Sequence, residues 1–213
     1  MTQRVWLAMV VVLALGCRDV TAPAAPPAAR PEAQAQRAAE VAPPIHILQQ
    51  SPTAPSLRRY QVSFWVRHDR ASLVTVNYRR VAGQSTAQPF LRFSVPKFGL
   101  MFRPDGTPLE GSDSIRVTLR IDRAQLSVDF EPSGVQFSRV RTPELTLWYA
   151  NADPDLDDNG IVDATDAHLE DRLALWGRSN QAHAWAKLQS KKDRLQQSVT
   201  SRLYHFSEYA VCW

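Results

Sequence analysis

The residues best suited to chemistry lie in one acidic stretch, DPDLDDNGIVDATD, which runs from Asp153 to Asp166. Six of its fourteen residues are aspartates, in a chain whose formal net charge is +4. Like charges at this density repel each other unless a cation neutralises them. The stretch predicts a site for a hard cation, because calcium binds six to eight oxygen ligands. The candidate ligands are Asp155, Asp157, Asn159, Ile161, Asp163 and Asp166.

The spacing of these residues is that of an EF-hand calcium loop. Counted from Asp155 as position 1, Gly160 occupies position 6 and Asp166 position 12. Gly160 permits the sharp reversal of the chain, Ile161 offers its backbone carbonyl, and Val162 is expected to pack inward. Calcium is therefore the predicted cofactor, and its predicted role is structural.

The same stretch has a second interpretation that needs no ion. An acidic surface turn could begin a helix, with Asp163 as the N-cap residue and the other carboxylates solvated. The repeated placement of oxygen-bearing residues at ligand positions favours the metal site over this alternative.

The segment after the loop resembles one half of a dockerin. Leu169, Leu173 and Trp176 are spaced as the apolar stripe of a helix, and Gly177 is expected to end that helix. In dockerins a calcium loop likewise closes with aspartate and runs into a single helix. The resemblance implies calcium binding and, as an alternative function, docking to a cohesin-type receptor. Dockerins carry two such loops, and this sequence contains one.

The first seventeen residues, MTQRVWLAMVVVLALGC, have the layout of an export signal, with an apolar run too short to span a bilayer. The ending LALGC resembles a bacterial lipobox, which implies lipidation of Cys17 and a lipid anchor at the cell envelope, on the outer membrane or cell surface. The alternative is an ordinary signal peptide cleaved nearby. Residues 18–57 are rich in Pro, Ala and Gln and lack aromatic residues, so they predict a disordered tether.

Residues 58–213 alternate apolar and polar side chains, which is typical of antiparallel strands with one buried face. In the clearest segment, SIRVTLRID, the apolar residues are Ile115, Val117, Leu119 and Ile121. Turn signals such as PDG at residues 104–106 separate such segments at short intervals. The predicted fold class is mainly β: an antiparallel immunoglobulin-like sandwich with one inserted calcium loop, at residues 153–177, and a short α-helix.

Three segments of this region resemble the ZU-type domain of zona-occludens, ankyrin and netrin-receptor proteins. They are FSVPKFGL at residues 93–100, FEPSGVQFSRVRTPELTLWY at residues 130–149 and HFSEYAV at residues 205–211. The resemblance extends over residues 70–149, with the last segment as a returning strand. It implies an immunoglobulin-like sandwich that contacts other proteins, and it supplies no catalytic residues.

The sequence offers no pattern for catalysis: HExxH, CxxC and GxSxG are absent, and the five histidines are scattered. The predicted function is a non-catalytic cell-surface lipoprotein for protein contact or envelope structure. A secreted hydrolase and a carbohydrate-binding module are the remaining alternatives. The basic residues alternate with apolar ones instead of forming a block, which argues against nucleic acid as a partner.

Smaller features add three expectations. Cys212 is expected to be buried in the last strand, because lipidation of Cys17 leaves it without a disulfide partner. Trp65 and Trp148 lie opposite the core register, and exposure of both on one sheet face would indicate a ligand surface. Near the C-terminus, residues 190–193 predict the turn of a hairpin.

Overall fold

The computed structural model describes residues 45–179 and 183–213. The described residues belong to one compact unit, Pro44–Trp213. The predicted signal peptide, Cys17 and residues 18–44 of the predicted tether lie outside them. In the described ranges, no helix has the length and apolar character needed to cross a membrane.

The described residues form thirteen strands and one helix, which we number in chain order. The strands are β1 (Gln61–Arg67), β2 (Ser72–Asn77), β3 (Pro89–Val95), β4 (Leu100–Phe102), β5 (Ser114–Ile121), β6 (Ser127–Glu131), β7 (Gln136–Phe137), β8 (Glu144–Trp148), β9 (Ala174–Arg178), β10 (Ala186–Lys187), β11 (Ser190–Asp193), β12 (Ser198–Arg202) and β13 (Glu208–Cys212). The helix, α1 (Ala164–Arg172), lies between β8 and β9.

The strands pair in two main sheets, and their pairing is antiparallel. One sheet has six strands in the order β1-β5-β6-β13-β9-β10, and the other has five in the order β11-β12-β8-β3-β2. β4 and β7 form a separate two-stranded pair. The prediction of a mainly β, antiparallel sandwich with one short helix is confirmed. The immunoglobulin-like topology stays a prediction.

The sheets form because alternate residues of each strand are apolar. In β5, Ile115, Val117 and Leu119 are buried, whereas the intervening Arg116 and Arg120 are exposed. Successive side chains of a strand point to opposite faces, so this alternation gives β5 one apolar and one polar face. The buried face covers the other sheet, and the polar face meets solvent.

Aromatic rings join the two sheets at the centre of the core. Phe93 of β3 contacts Phe130 of β6, with the ring centroids 4.9 Å apart, and these strands belong to different sheets. Phe206, in the connection between β12 and β13, contacts the same two rings at 5.7 and 5.2 Å. All three side chains are fully buried. Aromatic residues bury large apolar areas, so this cluster dominates the contact between the sheets.

The folded unit begins earlier than the predicted boundary at residue 57. Ile47 pairs with Cys212 of β13, and Leu57 pairs with Tyr78. The side chains of Leu48 and Leu57 are 1% and 2% exposed. The tether prediction is therefore wrong for residues 45–57. The average composition of residues 18–57 is dominated by Pro and Ala, so these few apolar residues did not stand out. Their partners lie in strands far along the chain.

The C-terminal hairpin also differs from the prediction. Residues 190–193, predicted as a turn, form strand β11, and the turn lies at residues 194–197. β11 is one of the two edge strands of the five-stranded sheet. Edge strands accept charged residues such as Lys191 and Asp193, because one side of the strand remains open to water. The polar composition of this segment therefore did not indicate a turn.

The two tryptophans of interest do not share a surface. Trp65, 64% exposed, belongs to β1 of the six-stranded sheet, whereas Trp148 belongs to β8 of the five-stranded sheet. The condition for a joint ligand surface is therefore not met. Cys212 is buried in β13, as predicted, and burial raises the pKa of its thiol to about 12. A thiol with that pKa is inert at neutral pH.

A pair of Leu→Ala variants tests whether residues 45–57 belong to the fold. Leu48→Ala should lower the free energy of unfolding by about 2–5 kcal/mol, because it removes a fully buried side chain. Leu195→Ala, at a position 95% exposed, should change it by less than about 0.5 kcal/mol. Denaturant unfolding of both variants gives the values. A Leu48→Ala variant as stable as the parent would show that residues 45–57 belong to the tether and not to the fold.

Candidate metal centre

The acidic loop lies where the chain passes from one main sheet to the other. β8 belongs to the five-stranded sheet and β9 to the six-stranded sheet, and residues 149–173 connect them. The start of this crossing is held by the N-terminal segment: the Asp153 N–H donates to the Gln49 carbonyl at 2.9 Å, and Gln50 pairs with Ala152. The loop is therefore part of the sandwich and not an appended tail.

The first half of the loop is folded around the carboxylate of Asp155. Its two oxygens accept hydrogen bonds from the backbone N–H groups of Asn159 and Gly160, at 3.1 and 2.7 Å. Gly160 has a φ of 83°, in the left-handed region that glycine adopts without strain. Asn159 continues the turn, since its side-chain oxygen accepts from the Ile161 N–H at 2.8 Å. The aspartate and glycine spacing thus forms a compact turn.

The second half of the loop begins helix α1 through a capping box. Asp163 is the N-cap residue, and its side chain accepts from the Thr165 N–H at 2.6 Å. The Asp166 carboxylate accepts in return from the Asp163 N–H at 2.8 Å. This exchange satisfies backbone donors that the first turn of a helix otherwise leaves free.

Asp166 also connects the two ends of the loop. Its other carboxylate oxygen accepts from the Leu156 N–H at 2.6 Å and from the Asp157 N–H at 3.4 Å. The side chain is only 3% exposed, although it is charged. Hydrogen bonds from the backbone, that of Asp163 first, lower the pKa of Asp166 below its usual value. Asp166 is therefore ionised at neutral pH.

Three carboxylates converge on one point. Ligand oxygens of Asp155, Asp157 and Asp166 all lie within 4.8 Å of one another, close enough to hold a metal ion. Burial raises the pKa of Asp157, and the negative charge of Asp166 raises it further. The charge of Asp157 is therefore unfavourable in the cation-free loop, and a bound cation would reverse that effect.

The other predicted ligands have local roles in the loop. The Asn159 amide N–H donates to a carboxylate oxygen of Asp157 at 3.0 Å, and Asp163 caps the helix. The structure therefore brings together half of the predicted ligand set as a carboxylate cluster. The side chains of Ile161 and Val162 are 65% and 61% exposed, so the prediction that Val162 packs inward is wrong.

The helix ends earlier than its apolar stripe predicts. Leu173 is the C-cap residue of α1, and Trp176 and Gly177 lie in strand β9. The prediction of a helix that includes Trp176 and ends at Gly177 is therefore wrong. The spacing i, i+4 and i+7 does not fix the residue at which a helix ends. Here β9 pairs with β13, and this pairing makes Trp176 part of the sheet and overrides the helical pattern.

Two contacts hold helix α1 against the sandwich, and neither could be predicted from the sequence. The Tyr149 hydroxyl donates to a carboxylate oxygen of Glu170 at 3.0 Å. The Lys192 ammonium of β11 donates to the Glu170 backbone carbonyl at 2.6 Å. This Lys therefore satisfies a carbonyl near the C-terminal end of α1, where positive charge is favourable. Each pair lies more than twenty residues apart in the chain, so no local motif could have indicated it.

Comparisons of the chain with protein-family models, with curated proteins and with solved structures give no significant match. The resemblances to ZU-type domains and to dockerins therefore stay predictions. The antiparallel sandwich and the three-carboxylate cluster rest on the structure itself.

Asp157→Asn and Asp158→Asn form a matched pair that separates ligation from charge. Without metal ions, Asp157→Asn should melt at or above the parent temperature, because the ionised carboxylate costs stability there. If the loop binds calcium, this variant should lose most of the calcium-induced rise in Tm. Asp158→Asn should keep that rise, because Asp158 lies outside the cluster and Asn suits its φ of 57°. Equal losses in both variants, measured by thermal melting, would show a general charge effect instead of ligation.

Proposed function

We propose that the Asp155–Asp166 loop binds one Ca²⁺ and that this ion stabilises the crossing between the two sheets. The observation that carries the proposal is the convergence of the Asp155, Asp157 and Asp166 carboxylates, within 4.8 Å, at the point where the chain changes sheet. A cation there would bind the start of the loop to the first turn of α1. It would favour the folded state, because the unfolded chain does not hold these oxygens together.

The chemistry of the donor set supports calcium over other metals. The cluster offers carboxylates, and the predicted set adds the Asn159 amide and the Ile161 carbonyl, so all candidate donors are oxygens. Zinc and copper sites usually contain histidine or cysteine, and neither residue belongs to this set. Magnesium requires a near-ideal octahedron at short distance, whereas calcium accepts the irregular, larger geometry of a flexible loop.

The wider function that we propose is that of a non-catalytic, exported lipoprotein, anchored to the bacterial envelope through Cys17 and used for protein contact or envelope structure. The support is the lipobox-like ending of the first seventeen residues and the antiparallel sandwich, a fold whose outer faces suit contacts. Calcium outside the cell is abundant enough to occupy even a weak loop, since extracellular calcium modules bind at about 10⁻⁴–10⁻³ M.

The integration of the loop favours this structural role over cohesin docking. Helix α1 has nine residues and passes directly into β9, a strand of the six-stranded sheet. The loop and helix therefore form a connection inside the sandwich. The described residues contain one carboxylate cluster of this kind, whereas a dockerin presents two calcium loops.

Calorimetric titration and thermal melting of the full chain test calcium binding. We expect one calcium ion per chain and, at about 100 times Kd, a stabilisation of about 2.7 kcal/mol. For a domain of this size that corresponds to a rise in Tm of roughly 5–10 °C. Magnesium should produce a much smaller rise. The absence of both binding heat and a calcium-dependent rise in Tm would make the loop a capped acidic turn.

Fatty-acid labelling in a bacterial host tests the anchor. The parent chain should incorporate labelled fatty acid, and Cys17→Ser should lose the label, because a lipobox cysteine is the acylated residue. Cys212→Ala is the matched control and should keep the label, since the Cys212 thiol is buried in β13. Labelling of Cys17→Ser, or no labelling of the parent, would contradict the lipoprotein assignment.

A further inference from the structure

One end of the sandwich combines exposed apolar side chains with unpaired positive charges. It consists of the loop between β3 and β4, the loop between β7 and β8, and one residue of the connection between β12 and β13. We call this surface the basic–aromatic end, and its residues are Lys97, Phe98, Arg139, Val140, Arg141 and Tyr204. β8 runs from this end towards the acidic loop.

The two loops are held firmly against each other. The Ser138 N–H donates to the Gly99 carbonyl at 2.9 Å. A Cβ atom on Gly99 would lie 2.8 Å from the Pro96 carbonyl oxygen and 3.1 Å from that of Arg141, so only glycine allows this approach. The Ser138 hydroxyl oxygen accepts from the Val140 and Arg141 N–H groups at 3.2 and 3.0 Å. The loop tip is therefore preorganised.

The tip presents an apolar side chain between two arginines. Val140 is 93% exposed and lies between Arg139 and Arg141 in the chain. Phe98 and Tyr204, at 37% and 49% exposed, lie beside this tip. Single exposed apolar residues are common, but here three of them share one surface with a set of cations.

The positive charges of this end are available to a ligand. Lys97 and Arg141 lie over the Phe98 ring, at 4.8 and 5.2 Å from its centroid, and Arg139 lies 5.9 Å from that of Tyr204. In residues 45–179 and 183–213, none of these three cations forms an ion pair.

Three carboxylates of the adjoining segments are already engaged by other arginines. Ion pairs of 2.8, 3.6 and 3.8 Å occupy them, and the pairs are Arg67–Asp69, Arg103–Asp113 and Arg202–Glu144. These carboxylates therefore do not neutralise Lys97, Arg139 or Arg141. The surface keeps a net positive charge around its apolar tip.

We propose that the basic–aromatic end binds the surface of an anionic lipid bilayer. Arg and Lys bind lipid phosphates, aromatic rings favour the interface between headgroups and acyl chains, and Val140 would enter that interface. A protruding apolar tip suits a deformable bilayer, whereas a protein partner would need a matching pocket. The source of the negative charge is thus a lipid headgroup layer. This proposal is independent of the calcium loop.

Vesicle sedimentation with the full chain tests the proposal. We expect stronger binding to phosphatidylcholine vesicles that contain phosphatidylglycerol than to pure phosphatidylcholine, and loss of this preference at high salt. Each basic residue near an anionic surface contributes about fivefold in binding, so Arg139→Gln/Arg141→Gln should reduce the preference roughly 25-fold. Val140→Asp should also reduce it, because it places a negative charge at the tip. The residues before Ile45 are identical in every protein compared, so they contribute equally.

Arg79→Gln/Arg80→Gln is the charge-matched control. It also removes two positive charges, from exposed positions beyond the opposite end of β2, and should keep the preference for anionic vesicles. Unchanged melting temperatures will show that the variants fold. An equal loss in the control, or equal binding of the parent to both vesicle types, would overturn the proposal. If the variants instead lose binding to a soluble acidic polysaccharide while no protein prefers anionic vesicles, the bilayer is the wrong partner.

Discussion

The contact of Phe130 with Phe93 and Phe206 is the constraint on which the rest of the sandwich depends. Each sheet has one apolar face, and neither is stable in water until the other sheet covers it. The described cysteine, Cys212, is free, so no disulfide within the described residues supports this packing. The aromatic core therefore fixes the distance between the sheets. Every connection that changes sheet must span that distance at one end of the sandwich.

The crossing from β8 to β9 shows what this constraint requires of a connection. The chain must leave one sheet, turn, and enter the other in register beside β13. A buried carboxylate, Asp166, meets this requirement by accepting backbone N–H groups from both sides of the loop. The accumulated negative charge is the cost of that arrangement, and it also makes the crossing suitable for a cation. The same carboxylate therefore shapes the crossing and belongs to the cluster that could hold a cation.

The sequence was sufficient where the determining interactions are local. The alternation of apolar and polar residues in β5 follows from the pleat of a strand, so it could be predicted without knowing which strands β5 pairs with. The loop from Asp155 to Asp166 could be predicted as a candidate cation site because all of its candidate ligands lie within twelve residues. The helix start at Asp163 is also local, since a capping box involves only neighbouring residues.

The sequence was insufficient where a residue distant in the chain decides the local structure. Leu48 looks like part of a tether until β13 and the turn before β6 provide its partners. The end of α1 depends on β9 joining the sheet, and β11 depends on β12. The basic–aromatic end combines loops about forty residues apart, so its cations and rings could not be grouped from spacing. In each case the missing information was tertiary pairing.

The N-terminal segment has a mechanical consequence. Leu48 exchanges backbone hydrogen bonds with Val211 of β13 and with Leu126, at 2.9 and 2.8 Å. Ser51 bonds to Asn151, which follows β8, at 3.0 Å. The Trp213 N–H also donates to the His46 carbonyl at 3.2 Å, so tension applied through the residues before Ile45 would be carried by several bonds that connect this segment to both sheets. A pull on the N-terminal side would therefore load both sheets together instead of one edge strand.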